Sequence, residues 1–445
     1  MIEPLYSFQS GVIPKIVRGE PTYLGFDPGL GKSRTALEAA KAKDVKRLLI
    51  VAPASGRYVW ERECRKWWPE MPFTLVRGPD DLRPRTGALL VTYGLLSQKR
   101  SPVAAAIAVD RAFGMTILDE AAAVKSSGAN RTKAVLQTML PKLGYLLPMS
   151  GTPAPNHAGE LYTILRAVYP KAILKTSGTP MLEYEFQDAF CRVVEKRFAR
   201  GSQPVRVIEG SKNMPELRRR MEGFMVRVRK ADVLKDLPAI RWDVVPVQPK
   251  LDSLAPLPAV PAGLSDEDLL KWLSGAGGDH VMRLRRLLGV AKADAAIEYI
   301  DDFLTNLPQD RKVLVFAHHR EVIKVLDAGL GNWSPAVVTG SSSPGERTVA
   351  INRFLENDRC RVLIGNIQAA GTGLTLVGPR CRCSDVFFVE ATYSVGDNHQ
   401  AACRVHRIGQ RDGVVARFLT AHGTIDDRIH SVLARKAQDF EQLFD

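Results

Sequence analysis

The stretch Tyr23–Ala40, YLGFDPGLGKSRTALEAA, decides what the first part of this chain is. Tyr23, Leu24 and Phe26 read as the end of a buried strand. Gly29, Leu30, Gly31, Lys32 and Ser33 follow as a turn, and Thr35 to Ala40 form a good helix. Strand, glycine turn and helix start is the context a phosphate-binding loop needs. The glycines let backbone N–H groups approach phosphate oxygens, and the helix N-terminus adds the positive end of its dipole. Lys32 would reach the β- and γ-phosphates of a nucleotide, and the Ser33 hydroxyl would sit on Mg²⁺. The strict pattern has Gly where this chain has Phe26. Taken alone, the stretch also fits a glycine-rich turn with no ligand.

With 445 residues, the chain is long enough for two or three domains. Its 45% hydrophobic and 25% charged content place it among globular proteins and exclude a disordered chain. No apolar run is long enough to span a bilayer. The opening MIEPLYSFQS lacks the charged-then-apolar layout of a signal peptide, so a cytoplasmic or nuclear protein is expected. A net charge of +14 points to a polyanionic partner, nucleic acid first, although a solvated basic surface carries the same charge. Cys64, Cys191, Cys360, Cys381, Cys383 and Cys403 form no paired C-x-x-C framework. Reduced, unpaired thiols are expected rather than a zinc cluster of Cys381, Cys383, Cys403 and His406.

Outward from the loop, short apolar strands alternate with helical segments: RLLIVAPAS, ALLVTYGLLS, GMTILDEAAA and LGYLLPMSGTPAP. This alternation implies a parallel sheet flanked by helices. From about 155 to 238 the pattern changes to three segments read as amphipathic helices, the second being EYEFQDAFCRVVEKRFA. The third, MPELRRRMEGFMVRVRKADVLKDLP, carries Arg218, Arg219, Arg220, Arg227, Arg229 and Lys230. A helical insertion with a basic face is expected. Residues 246–280 are rich in Pro, Gly and Ala and read as a linker. Strands KVLVFAH, AVVTG, RVLIGN, DVFFVEA and VVARFLT then imply a second α/β domain. The expected architecture is α/β, with two lobes at 1–245 and 281–445.

Two further pieces complete a chemistry. TILDEAAA ends a buried strand in Asp119-Glu120. Beside a phosphate loop in the same sheet, Asp119 can hold Mg²⁺ and Glu120 can orient or deprotonate an attacking water. In QAACRVHRIGQ, Arg404 and Arg407 are three apart, so on a helix they share one face. Arginines of that kind, aimed at a γ-phosphate held elsewhere, act as arginine fingers.

These blocks, in this order, resemble the Swi/Snf-type branch of the superfamily-two helicase-like ATPases, from about Leu5 to Arg428. The resemblance rests on LYSFQSGV, DPGLGKS, LLIVAPASGRYVWERECRKW, LVTYGLLS, LDEAAA and MSGTPAPN in the first half. In the second it rests on VLVFAHHREVI, VTGSSSPGER, NIQAAGTGLTL and QAACRVHRIGQ. The compact insertion with MVRVRKADVLKDLP, and VFAHHREVI, are similar to the annealing-helicase, fork-remodelling branch. The resemblance implies two RecA-like lobes and ATP with Mg²⁺ at Lys32, Ser33, Asp119 and Glu120. It further implies Gln9 on adenine, Gly29, Gly31 and Gly373 in the nucleotide set, and Arg404 and Arg407 as fingers. It implies DNA, duplex or forked, contacted mainly through phosphates by Ser55, Thr92, Ser341 and Thr372, with Arg227 and Lys230 as further basic contributors. Where the family has Asp-Glu-x-His, this chain has Ala122, so coupling between lobes is expected to differ while hydrolysis survives. No chromatin-reading or nuclease signature accompanies the motor, as in a minimal phage or bacterial member. A strand-separating helicase, an RNA-stimulated ATPase and a nucleotide-dependent binding module without hydrolysis stand as alternatives.

Overall fold

The computed structural model describes residues 4–196, 204–233, 240–249, 278–367, 376–378, 381–392, 395–407, 410, 412–421, 424 and 426. Two compact units divide the chain, the first running to Val233 and the second starting at Leu234.

The first unit is built on seven strands. They are β1 (Tyr23–Phe26), β2 (Arg47–Ala52), β3 (Phe73–Leu75), β4 (Gly87–Thr92), β5 (Met115–Asp119), β6 (Tyr145–Met149) and, after an antiparallel pair, β9 (Met225–Val228). Their order is β3-β4-β2-β5-β6-β1-β9, and every pairing is parallel. β1, β2 and β4 are buried at every position. Such continuous burial is what helices on both faces of a parallel sheet produce, and it explains why these strands read as apolar runs rather than alternating ones. The core continues into the insertion, where Phe186, Phe190 and Phe224 are fully buried.

Two segments of the insertion differ from the all-helical expectation. The helix Glu183–Phe190 stops, and Cys191–Lys196 (β7) pairs antiparallel with Val205–Ser211 (β8). Cys191 is already extended, with φ −127° and ψ 149°, and the Val193-Val194 pair that follows favours strand over helix. The basic run is also interrupted. Its helix covers only Met214–Arg220; Gly223 then takes φ +76°, and β9 joins the sheet beside β1. The six basic residues therefore do not share one helical face.

The second unit carries β10 (Arg241–Val247), β11 (Arg311–Ala317), β12 (Ala336–Val338), β13 (Val362–Asn366), β14 (Arg382–Phe388) and β15 (Val415–Ala421). The order is β10-β15-β14-β11-β13-β12, again with all pairings parallel. β10 pairs with β15 along its whole length. This is why the change of unit falls at Leu234 and not at 246: residues expected to close the first lobe open the second sheet. Most of the expected linker lies outside the described residues. All six cysteines are buried, and none is in a disulfide. Among the described residues, no helix is long and apolar enough to cross a membrane.

Candidate functional site

In a parallel α/β sheet, ligands gather at the carboxyl ends of the strands. Four chain segments meet there in the first unit. β1 delivers the loop Asp27–Gly31, which turns into the helix Lys32–Ala42. Gly29 and Gly31 have φ +93° and +74°, a region L side chains rarely adopt. Gly31 meets a second constraint, because a Cβ there would lie 2.4 Å from Gln9 Nε2. Gln9 is buried; its Nε2 donates to the Leu30 carbonyl at 3.1 Å and its Oε1 accepts the Tyr6 N–H at 3.0 Å. The residue expected on adenine thus also braces the phosphate loop. No side chain caps the helix that follows, so its first turn is suited to an anion.

Lys32 Nζ folds back along its own loop, donating to the carbonyl oxygens of Phe26 at 2.8 Å and Asp27 at 3.4 Å. Burial lowers its pKa to about 8, against the opposing pull of Glu120, Asp119 and Asp27. Ser33, one residue on, is half-buried.

The acidic pair ends β5, two strands from β1 with β6 between them. At about 4.8 Å per strand, roughly 10 Å separates the phosphate loop from the acids, room for a phosphoryl group and a cation. Trp60 Nε1 donates to Asp119 Oδ2 at 2.8 Å, and the Tyr93 hydroxyl donates to the Asp119 carbonyl at 3.0 Å. Burial, then the charge of Glu120, pushes the Asp119 carboxyl upward. A divalent cation beside Asp119 would relieve that cost, so the donor set of Ser33 and Asp119 fits Mg²⁺. Glu120 holds φ +48°, ψ +56°, a left-handed conformation that a non-glycine residue keeps only when its surroundings impose it.

The strand between them supplies the connection. Ser150, just past β6, donates to Glu120 Oε2 at 2.9 Å and accepts the Thr152 N–H at 3.1 Å. A Cβ on Gly151 would come within 2.8 Å of Pro28, so only glycine allows this close approach to the phosphate loop. Trp60, Tyr93, Ser150 and Gly151 were not singled out from the sequence. All four lie inside motifs quoted above, but the signal for each is a contact rather than a residue type.

Comparison with known proteins now has a structure to attach to. Residues 23–251 match the SNF2-related domain family, and residues 294–409 match the helicase conserved C-terminal domain. The chain belongs to the SNF2-related family. It is 30% identical over 455 residues to the mouse DNA annealing helicase and endonuclease ZRANB3, covering 98% of this chain and 40% of that protein. A Caenorhabditis elegans relative is the homolog of SWI/SNF-related matrix-associated actin-dependent regulator of chromatin subfamily A-like protein 1. It is 30% identical over 447 residues, covering 98% of this chain and 61% of its own length. The chain therefore spans about half the length of these relatives. The solved Sulfolobus solfataricus SWI2/SNF2 ATPase core in complex with dsDNA aligns over 99% of this chain and 93% of that one, at 20% identity and a TM-score of 0.44.

The remaining expected residues fall into four groups. Thr92 and Ser341 sit at strand ends or the loops after them. Thr92 is buried, and its Oγ1 accepts the Leu95 N–H at 3.5 Å, starting a short helix. Ser341 is exposed, its Oγ 3.0 Å from Thr339 Oγ1. The Ser55 side chain, Thr372 and Gly373 lie outside what the structure describes. Arg227 and Lys230 are not on an open basic face. Arg227 is ion-paired to Asp27 of the phosphate loop at 2.7 Å, and the Lys230 N–H donates to the same carboxylate at 2.9 Å. Their contacts in the structure are with the phosphate loop.

Arg404 and Arg407 do not lie on one helix. The helix Val395–Ala402 ends before them, and a turn follows. Arg404 is buried, with its carbonyl accepting the Leu376 N–H at 3.1 Å. Arg407 is half-buried, and its Nε donates to the Cys403 carbonyl at 3.0 Å. At the strand ends of the same unit, Glu390 accepts the N–H groups of His318 and His319 at 2.8 and 2.9 Å and pairs with His319 Nδ1 at 2.6 Å. That buried carboxylate fixes the turn of the HHRE motif, and no periodicity in the sequence marks it.

Proposed function

We propose that the chain is a DNA-dependent ATPase that couples ATP hydrolysis to translocation on, or remodelling and reannealing of, duplex or branched DNA. The observation that carries this reading is the convergence of three strand ends. Gly151 packs on the phosphate loop while the adjacent Ser150 holds the carboxylate of Glu120. A glycine-rich turn without a ligand has no need for an acid pair oriented beside it.

In this reading the N–H groups around Gly29 and Gly31, with Lys32 Nζ, hold the phosphates of ATP. Ser33 and Asp119 would hold Mg²⁺, which would supply charge neutralisation on the phosphates. Glu120 accepts the proton of the attacking water. Its Oε2 is fixed by Ser150. Arg404 and Arg407 are assigned to the charge that develops on the transferred phosphoryl group. DNA is held mainly through its phosphates, because a motor that moves along a duplex cannot depend on base identity. The charge of +14 and the names of the relatives support that partner.

The test is steady-state ATP hydrolysis by the purified chain, with Lys32→Ala as control. Samples contain no nucleic acid, single-stranded DNA, duplex DNA, forked DNA or RNA. Stimulation by duplex or fork above single strands is the expected result, with affinity falling steeply as salt rises. Equal or better stimulation by single strands or RNA transfers the assignment to a strand-separating or RNA motor. Absence of hydrolysis with every nucleic acid refutes the ATPase reading.

A further inference from the structure

A set of contacts to the phosphate loop comes from the far end of the insertion. β9 lies parallel to β1 with Tyr23 opposite Met225 and Phe26 opposite Val228. Where the two strands end, Asp27 is tied to the β9 side at three points. Its N–H donates to the Val228 carbonyl at 2.9 Å. Its Oδ1 pairs with Arg227 Nη2 at 2.7 Å, and its Oδ2 accepts the Lys230 N–H at 2.9 Å. The other arm of the Arg227 guanidinium reaches two more segments: Nη1 donates to the Gly25 carbonyl at 2.6 Å and to the Gly151 carbonyl at 3.4 Å. One side chain thus touches the end of β1, the loop carboxylate and the segment that orients Glu120. Both partners of the ion pair are largely buried, with 18% and 15% of their side chains exposed. Three residues beyond Lys230 the first unit ends, at Val233.

We propose that Arg227 is a positioning residue of the nucleotide site. Through Asp27 it sets the phosphate loop, and it links that loop to the segment 225–233 by which the chain leaves the first unit. Nucleotide occupancy and the state of that segment then bias each other. This rests on the nucleotide-site reading above.

The chemistry favours a coupling role over plain bracing. A forked guanidinium bridging a carboxylate and two carbonyls holds three segments in one geometry, which lysine cannot reproduce. A shift of the loop on binding phosphate moves Asp27, and Asp27 is bonded to the backbone of Lys230. Coupling between two sites is reciprocal in binding free energy, so weakening the pair must appear both in nucleotide affinity and in the behaviour of 225–233.

The experiment compares the full chain with Asp27→Asn, which keeps the shape and removes the charge, and Arg227→Lys, which keeps the charge and removes the fork. Arg227→Ala is added if its circular dichroism matches wild type. Binding of a fluorescent ADP with Mg²⁺ is titrated, and backbone hydrogen exchange of peptides covering 25–34 and 225–233 is followed with and without saturating Mg·ADP. In the wild type, Mg·ADP should slow exchange in both peptides. In the variants ADP should bind at least about fivefold more weakly, the low end of site-to-site coupling. At saturation, protection of 25–34 should return while protection of 225–233 does not. Wild-type affinity in both variants overturns the proposal. Weaker binding with nucleotide-induced protection of 225–233 intact also overturns it, because the pair then only braces the loop. A wild-type chain that neither binds Mg·ADP nor hydrolyses ATP removes the nucleotide site itself, and that failure shows before any variant is made.

Discussion

Gly31→Ala separates two demands placed on one residue. The first is conformational: φ is +74°, and a left-handed backbone costs an L residue about 1–2 kcal/mol. The second is spatial: the new Cβ would lie 2.4 Å from Gln9 Nε2. Gln9 can swing away, since the clashing atom is the end of a flexible side chain. Doing so breaks its 3.1 Å bond to the Leu30 carbonyl, worth about 0.5–1.5 kcal/mol net. The single substitution should therefore cost about 1.5–3.5 kcal/mol. In a Gln9→Ala background the clash is gone and only the backbone cost of about 1–2 kcal/mol remains. The difference between backgrounds, about 0.5–1.5 kcal/mol, exceeds the usual additivity error of about 0.3–0.5 kcal/mol over most of its range. The assay is urea unfolding by circular dichroism, with the first unit's transition identified as the one that moves with Mg·ADP. Equal costs in the two backgrounds would refute the Gln9 contact. A neutral Gly31→Ala in wild type would refute the loop conformation itself.

Other outcomes follow from the same geometry. Glu120→Gln should abolish turnover while nucleotide and DNA binding persist; normal turnover would remove Glu120 from the water-activating role. Ser150→Ala should lower kcat by about tenfold or more with little change in KM, since it frees a carboxylate from its orienting bond and removes no phosphate contact; a KM effect alone would argue for a purely structural bond. Arg407→Ala should reduce DNA-stimulated kcat far more than ADP affinity, and loss of affinity alone would count against a finger role. Glu216 is held down to about 2, from an ordinary 4.5, by hydrogen bonds from Arg219 and then Arg220. Its carboxylate therefore stabilises the fold above about pH 4.5, and that contribution is lost as pH falls toward 2. Glu216→Gln should flatten the fall of Tm across that window and leave its shape above pH 5 unchanged; an unaltered acid limb would show that the pair contributes nothing.

The sequence by itself determined the two-sheet architecture and the strand ends at which the candidate site residues stand. Lys32, Ser33, Asp119 and Glu120 were legible as candidates because each combines a residue type with a strand end, and strand ends announce themselves as apolar runs that stop at Gly or an acid. The strands were legible because full burial makes them continuous in hydrophobicity. The tertiary structure decided what lies between those residues. Sheet order places β6 between β1 and β5, so Ser150 and Gly151 become the bridge from phosphate loop to acid pair; order in a sheet leaves no local trace in the chain. It also decided the fate of the basic run. Arg218 to Lys230 read as one charged helical face, yet Gly223 breaks the helix and β9 carries Arg227 onto Asp27, 200 residues away in sequence. A charge run records how many cations a segment has. Which of them face solvent depends on where the next strand finds its partner, and that is settled by long-range packing.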